Sequence, residues 1–152
     1  MAKLRSFIKY WVPVLVWLAP IFAASSDSGS FGHSSRLIAP LVRWLFPHVT
    51  EETVHAVVVF VRKCAHVTEF GILALLLWRA LRKPDRNNRR PWYWSHALLT
   101  VALVMLYAAS DEFHQRFVPS RDASVMDVMI DTGGAVLALF LVWCIGRWRR
   151  RW

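Results

Sequence analysis

The sequence has little cysteine and no repeated or low-complexity segment, which narrows the kinds of protein that it encodes. Its 152 residues include two cysteines, Cys64 and Cys144. We predict that they lie toward opposite ends of two different helices, more than about 20 Å apart, which is too far for a disulfide. Neither has a second cysteine nearby, so a zinc site built from cysteine pairs is not expected.

Acidic residues are also few, 10 against 19 basic residues, for a formal net charge of +9. Such a balance is compatible with nucleic-acid binding, but the positions of the charges argue against it. Thirteen of the basic residues lie at the start of the first apolar run, at or after the end of the second, or after the fourth. In a protein with four spans, these three places are on the same side of the membrane. They are Lys3, Arg5, Lys9, Arg79, Arg82, Lys83, Arg86, Arg89, Arg90, Arg147, Arg149, Arg150 and Arg151. This distribution follows the positive-inside rule and predicts that both termini are cytoplasmic.

Apolar residues make up 56% of the chain and form four long runs. We place the membrane spans at residues 7–25, 56–81, 94–115 and 125–146. Each supplies the roughly 20 helical residues that cross a hydrocarbon core of about 30 Å. The fold class predicted is therefore all-α: a polytopic helical bundle forming a single domain over residues 1–152, in the inner (cytoplasmic) membrane.

Two segments outside this core pattern have their own interpretation. The basic start of the chain and the small residues before Ser25 also fit a cleaved signal peptide, although the first apolar run is long for one. Residues 36–46 place apolar side chains at helical spacing, which predicts a short amphipathic helix on the outer surface, bounded by Pro40 and Pro47. We expect one or two such helices on that side. Thr50 and Ser124 are predicted to cap the helices that follow them.

Ionisable residues interrupt three of the apolar runs, and this is the most informative pattern in the chain. A carboxylate inside a bilayer is costly unless it is paired, solvated or protonated. The rise of about 1.5 Å per residue places all three groups in the outer half of the membrane, with Glu69 deepest. The spacing places most members of each group on one helix face. These members are Arg62, His66 and Glu69; Asp111, His114 and Gln115; and Asp127 and Asp131. The groups comprise Arg62, Lys63, His66 and Glu69; Asp111, Glu112, His114 and Gln115; and Asp127 and Asp131.

The same residues resemble the motifs of the VanZ-like family of small membrane proteins. The matching blocks are Lys63-x-x-His66-x-x-Glu69, Ser110-Asp-Glu-x-His-Gln-x-Phe-x-Pro-x-Arg121 and Asp127-x-x-x-Asp131-x-x-Gly134, and the resemblance spans residues 38–145. Ser120 departs from it, since a glycine is expected after Pro119. The family takes its name from a member associated with resistance to the glycopeptide antibiotic teicoplanin. The resemblance implies a cell-envelope membrane protein but supplies no reaction.

The leading hypothesis is an enzyme that hydrolyses or transfers a group on a lipid or lipid-linked envelope substrate at the outer face. Its catalytic candidates are His66, Glu69, Asp111, His114, Asp127 and Asp131. Burial suits Glu69 to donating or accepting a proton, the histidines are further acid–base candidates, and Arg121 is suited to clamping an anion. Its substrate-binding candidates are Lys63, Glu112, Gln115 and Arg121.

Three alternatives stay open. His66, Glu69, His114 and Asp131 offer ligands for a divalent metal such as zinc, manganese or iron. The pocket also suits a non-enzymatic binder of a cationic or amphiphilic ligand, or a small transporter that works as an oligomer. Finally, the polar groups suit a structural network that holds three helices together. Expected partners are membrane lipids and not nucleic acid, while the sequence leaves the oligomeric state open.

Overall fold

The computed structural model describes residues 1–25, 31–83, 91–118 and 123–152, and these residues are helical apart from short connections. Four helices are long and apolar enough to cross a membrane, and the described residues contain no strand, so the predicted all-α membrane fold is confirmed. The predicted single domain stays a prediction. The helices are α1 (Ala2–Ser25), α2 (Phe31–Leu45), α3 (Glu51–Arg82), α4 (Trp94–Gln115) and α5 (Val125–Trp148).

Helix α3 is the centre of the bundle. Its 32 residues span about 48 Å, which exceeds the hydrocarbon core, and it packs against all four other helices. Its start is fixed as predicted, because the Thr50 side chain accepts a hydrogen bond from the backbone N–H of Thr53. Phe70, Leu73 and Ala74 of its second half are buried in the core.

Helix α2 differs from its predicted bounds. It begins at Phe31, and Pro40 lies inside it rather than near its start. The prediction that Pro40 bounds this helix is therefore wrong. Ala39 and Val42 are buried against α3, while Leu37 and Trp44 are 80% and 76% exposed. The helix thus pairs with the first part of α3 and leaves an apolar face outward.

The basic ends of the spans meet at one end of the bundle. The Arg79 guanidinium lies 5.3 Å from the centre of the Tyr10 ring, which joins the end of α3 to the first half of α1. The Arg82 guanidinium lies 4.9 Å from the Trp78 ring and 4.8 Å from the Trp152 ring, which joins α3 to the segment after α5. Cation–π contacts of this kind hold the charged groups beside the aromatic rings.

Candidate functional site

A group of ionisable side chains lies at the end of the bundle opposite the basic residues, and Asp131 of α5 is at its centre. Asp131 is fully buried, and among the described residues neither of its carboxylate oxygens accepts a hydrogen bond. The Nδ1 atom of His66, on α3, lies 3.5 Å from its Oδ1 atom. Four further carboxylates are near enough to interact electrostatically with it, namely Glu69, Asp111, Glu112 and Asp127. Helices α3, α4 and α5 therefore bring their polar residues to one place.

A close approach of two backbones positions the Asp131 side of this group. A Cβ atom built on Gly134 would lie 2.5 Å from the carbonyl oxygen of Val67, so only glycine fits there without movement of a helix. Val67 directly follows His66, and Gly134 lies one turn after Asp131. The contact between α3 and α5 thus holds His66 and Asp131 in register.

Asp111 of α4 is also buried, but its carboxylate has partners. Its Oδ2 atom accepts a hydrogen bond of 2.6 Å from the Ser25 hydroxyl and one of 3.0 Å from the Gln115 side chain. Ser25 is the last residue of α1 and is fully buried. Gln115, predicted to bind substrate, therefore supports a neighbouring carboxylate in this structure.

Lys63 and Asp127 form an ion pair at the edge of the group. The Nζ atom of Lys63 donates to Oδ1 of Asp127 over 2.8 Å, and both side chains are partly exposed. The pair links α3 to the first turn of α5. Asp127, predicted to be catalytic, therefore has a cationic partner of its own.

Glu112 stabilises the start of α5. Its Oε2 atom accepts a hydrogen bond of 2.8 Å from the backbone N–H of Ser124, while the Ser124 hydroxyl accepts one from the backbone N–H of Met126. The predicted cap at Ser124 is therefore confirmed. Glu112 was predicted to bind substrate, and its buried side chain here orders the segment that carries Asp127 and Asp131.

Glu69 and His114 lie nearer to α1. The Glu69 side chain is half-buried and interacts electrostatically with Asp111, and its backbone carbonyl accepts a hydrogen bond of 3.0 Å from the Trp17 indole. The His114 ring lies 5.1 Å from the Phe22 ring, centre to centre. In the part of the chain that the structure describes, His114 pairs with no carboxylate.

The predicted anion clamp and the predicted metal ligands have different outcomes. Arg121, the predicted anion clamp, lies outside the described residues. For a metal, the described residues include no group of three or more His, Cys, Asp or Glu side chains arranged to hold an ion.

Some residues that contact the polar group were not predicted from the sequence to belong to the site, and they are on α1 and α2. Ser25 and Trp17 contact the group from α1, and Ser34 of α2 accepts a hydrogen bond of 2.8 Å from the Arg62 guanidinium. The sequence marked Ser25 only as the residue beside a possible signal-peptide cleavage site. Its role depends on where α1 packs, which no local pattern reports.

The fold and this group of side chains define a small polytopic membrane protein with ionisable residues at one end of its bundle. A protein-family model described as VanZ/LLP1 matches residues 10–146, so the chain belongs to the VanZ-like family. The predicted resemblance is confirmed, and the match begins further toward the N-terminus, so that it includes most of α1. No curated protein and no solved structure matches the chain.

Proposed function

We propose that this protein is a cell-envelope enzyme of the cytoplasmic membrane that hydrolyses or transfers a group on a lipid or lipid-linked substrate. In this proposal the ionisable group faces the outside, and activity changes susceptibility to the glycopeptide teicoplanin. His66 and Asp131 donate and accept the proton that moves during the reaction. Glu69 is the second carboxylate that reaches the substrate.

The observation that supports this proposal is that the buried Asp131 carboxylate has no hydrogen-bond donor among the described residues. A buried carboxylate that accepts no hydrogen bond from the described residues carries a free-energy cost. It recovers that cost by taking a proton or by accepting a hydrogen bond from a bound ligand. A structural network would satisfy each of its members, as Ser25 and Gln115 satisfy Asp111.

A substitution at Asp131 tests the proposal. Asp131→Asn keeps the shape of the side chain but removes the group that exchanges a proton. We expect teicoplanin susceptibility of an expressing host to return to that of cells without the protein. We also expect the melting temperature in detergent to stay level or rise, because a buried charge is removed.

Thr132→Val is the matched control. Thr132 is the next residue of α5, and its hydroxyl donates to the Val128 carbonyl of the same helix over 2.7 Å. We expect this variant to keep its effect on susceptibility. Full activity of Asp131→Asn would refute the catalytic role, and joint loss of activity and melting temperature would show that Asp131 is structural.

A further inference from the structure

The hairpin formed by α2 and the start of α3 has two different sides. On one side, a groove of about 790 Å³ is lined almost wholly by apolar side chains, including Ile38, Leu41, Val57 and Val61. On the other side, a groove of about 680 Å³ is lined by Arg36, Arg43, Glu51 and His55 among others. The hairpin therefore separates a groove with almost no polar surface from a second groove, which we call the polar groove, in which charged side chains stand beside apolar ones.

The polar groove carries a positive charge that its own acid does not cancel. Glu51 accepts two hydrogen bonds from Arg43, of 3.0 Å from Nε and 2.7 Å from a terminal nitrogen. This fork uses the carboxylate that the described residues contribute to the groove. Arg36 is exposed, and it makes no ion pair with another described residue. Its guanidinium is the cation that an incoming anion meets.

The face of α3 that lines the groove leads along the helix toward the candidate site. His55, Arg62, His66 and Glu69 are separated by seven, four and three residues, which places them on one helix face. His55 lines the groove and His66 contacts Asp131. Arg62 lies between them in the sequence and donates to Ser34, which joins α3 to α2 at this point.

We propose that this polar groove binds the anionic phosphate headgroup of a membrane lipid and delivers the attached lipid to the candidate site. The inference rests on the function proposed above and adds the chemical class of the substrate. Arg36 pairs with the phosphate oxygens, for which a guanidinium has the right geometry.

The surroundings of the groove favour a lipid over a free anion. Leu37, Leu41 and Trp44 of α2 are 80%, 56% and 76% exposed, so the helix presents an apolar face beside its arginines. A helix with an apolar face and a basic face lies at the boundary between headgroups and acyl chains.

Native mass spectrometry of the full chain in detergent, titrated with phosphatidylglycerol, tests this proposal. Arg36→Gln should weaken binding by about tenfold, since it removes a charge-assisted contact. Arg36→Lys should weaken it less, because the charge remains. Arg116→Gln is the matched control: it removes an exposed arginine at the same end of the bundle, after α4, and should change binding less than about twofold.

Three results would overturn the headgroup site. They are equal weakening by Arg116→Gln and Arg36→Gln, equal affinity for phosphatidylcholine and phosphatidylglycerol, and displacement of the lipid by an equimolar amount of inorganic phosphate. The last result would identify a site for a free anion.

Asp131→Asn separates this proposal from the proposed function. An inactive Asp131→Asn protein that binds phosphatidylglycerol normally supports both. If Asp131→Asn stays active while Arg36→Gln loses lipid binding, the headgroup site stands and the catalytic role fails. If Asp131→Asn is inactive and Arg36→Gln binds normally, the headgroup site fails alone.

Discussion

A single hydroxyl joins α1 to the carboxylate group of the bundle. Ser25 donates to the buried carboxylate of Asp111, and the same hydroxyl lies 3.0 Å from the carbonyl of Ile21 in its own helix. A hydrogen bond to a charged, buried acceptor contributes more than one at the surface. This contact therefore fixes the end of α1 and also stabilises the Asp111 carboxylate.

Ser25→Ala should lower stability by about 1–3 kcal/mol, because Asp111 loses one of its two hydrogen bonds inside the bundle. The measurement is thermal unfolding of the full chain in detergent. Ser110→Ala is the control, since the exposed Ser110 hydroxyl donates to the Tyr107 carbonyl of its own helix and to no other described residue. Equal melting temperatures for the two variants would show that the contact between Ser25 and Asp111 contributes little.

Packing between helices, rather than helix formation, decides the geometry of the candidate site. Gly133 and Gly134 are neighbours in α5, yet a Cβ atom on Gly133 meets nothing within 4 Å, while one on Gly134 meets the Val67 backbone. The α3 backbone cannot move away without shifting His66. Of these two neighbouring glycines, position 134 has no room for a Cβ atom, whereas position 133 has room for one.

Gly134→Ala should therefore destabilise the bundle by about 1–3 kcal/mol through overpacking, and it should disturb the contact between His66 and Asp131. Gly133→Ala should leave stability level or raise it slightly, because alanine favours a helix. Melting temperature and teicoplanin susceptibility should be measured for both variants. Equal effects would mean that the two helices do not approach as closely as described.

The sequence predicted the helices well because their signals are local. Long apolar runs predicted the spans, and the caps at Thr50 and Ser124 were readable from single residues. The partners of the site were less predictable. His114 was grouped with Asp111 by its spacing, but side chains three residues apart differ by about 60° around a helix, and His114 contacts Phe22 instead. The position of α1, which no local pattern encodes, decides that outcome.

The arginines that contact aromatic rings and the group of carboxylates lie at opposite ends of the bundle. Arg79 and Arg82 lie with the aromatic rings of Tyr10, Trp78 and Trp152 at one end. The carboxylates and His66 lie at the other end, together with the hairpin of α2 and α3. Basic residues beside membrane spans favour the cytoplasmic side, so this separation gives the bundle a direction.

The last prediction is that the basic end of the bundle faces the cytoplasm. A phosphatase reporter that works only outside the cytoplasm should be inactive when it is fused after Trp152 and active when it is inserted after His48, in the turn between α2 and α3. The reason is that thirteen of the 19 basic residues fall, in the four-span order of the sequence, on the same side of the membrane as Trp152, and basic residues resist transfer across the membrane. A fluorescent protein that matures only in the cytoplasm should give the opposite pattern at the same two positions. Phosphatase activity after Trp152 would place the basic end outside, and the carboxylate group would then face the cytoplasm, where no envelope substrate of the outer leaflet reaches it.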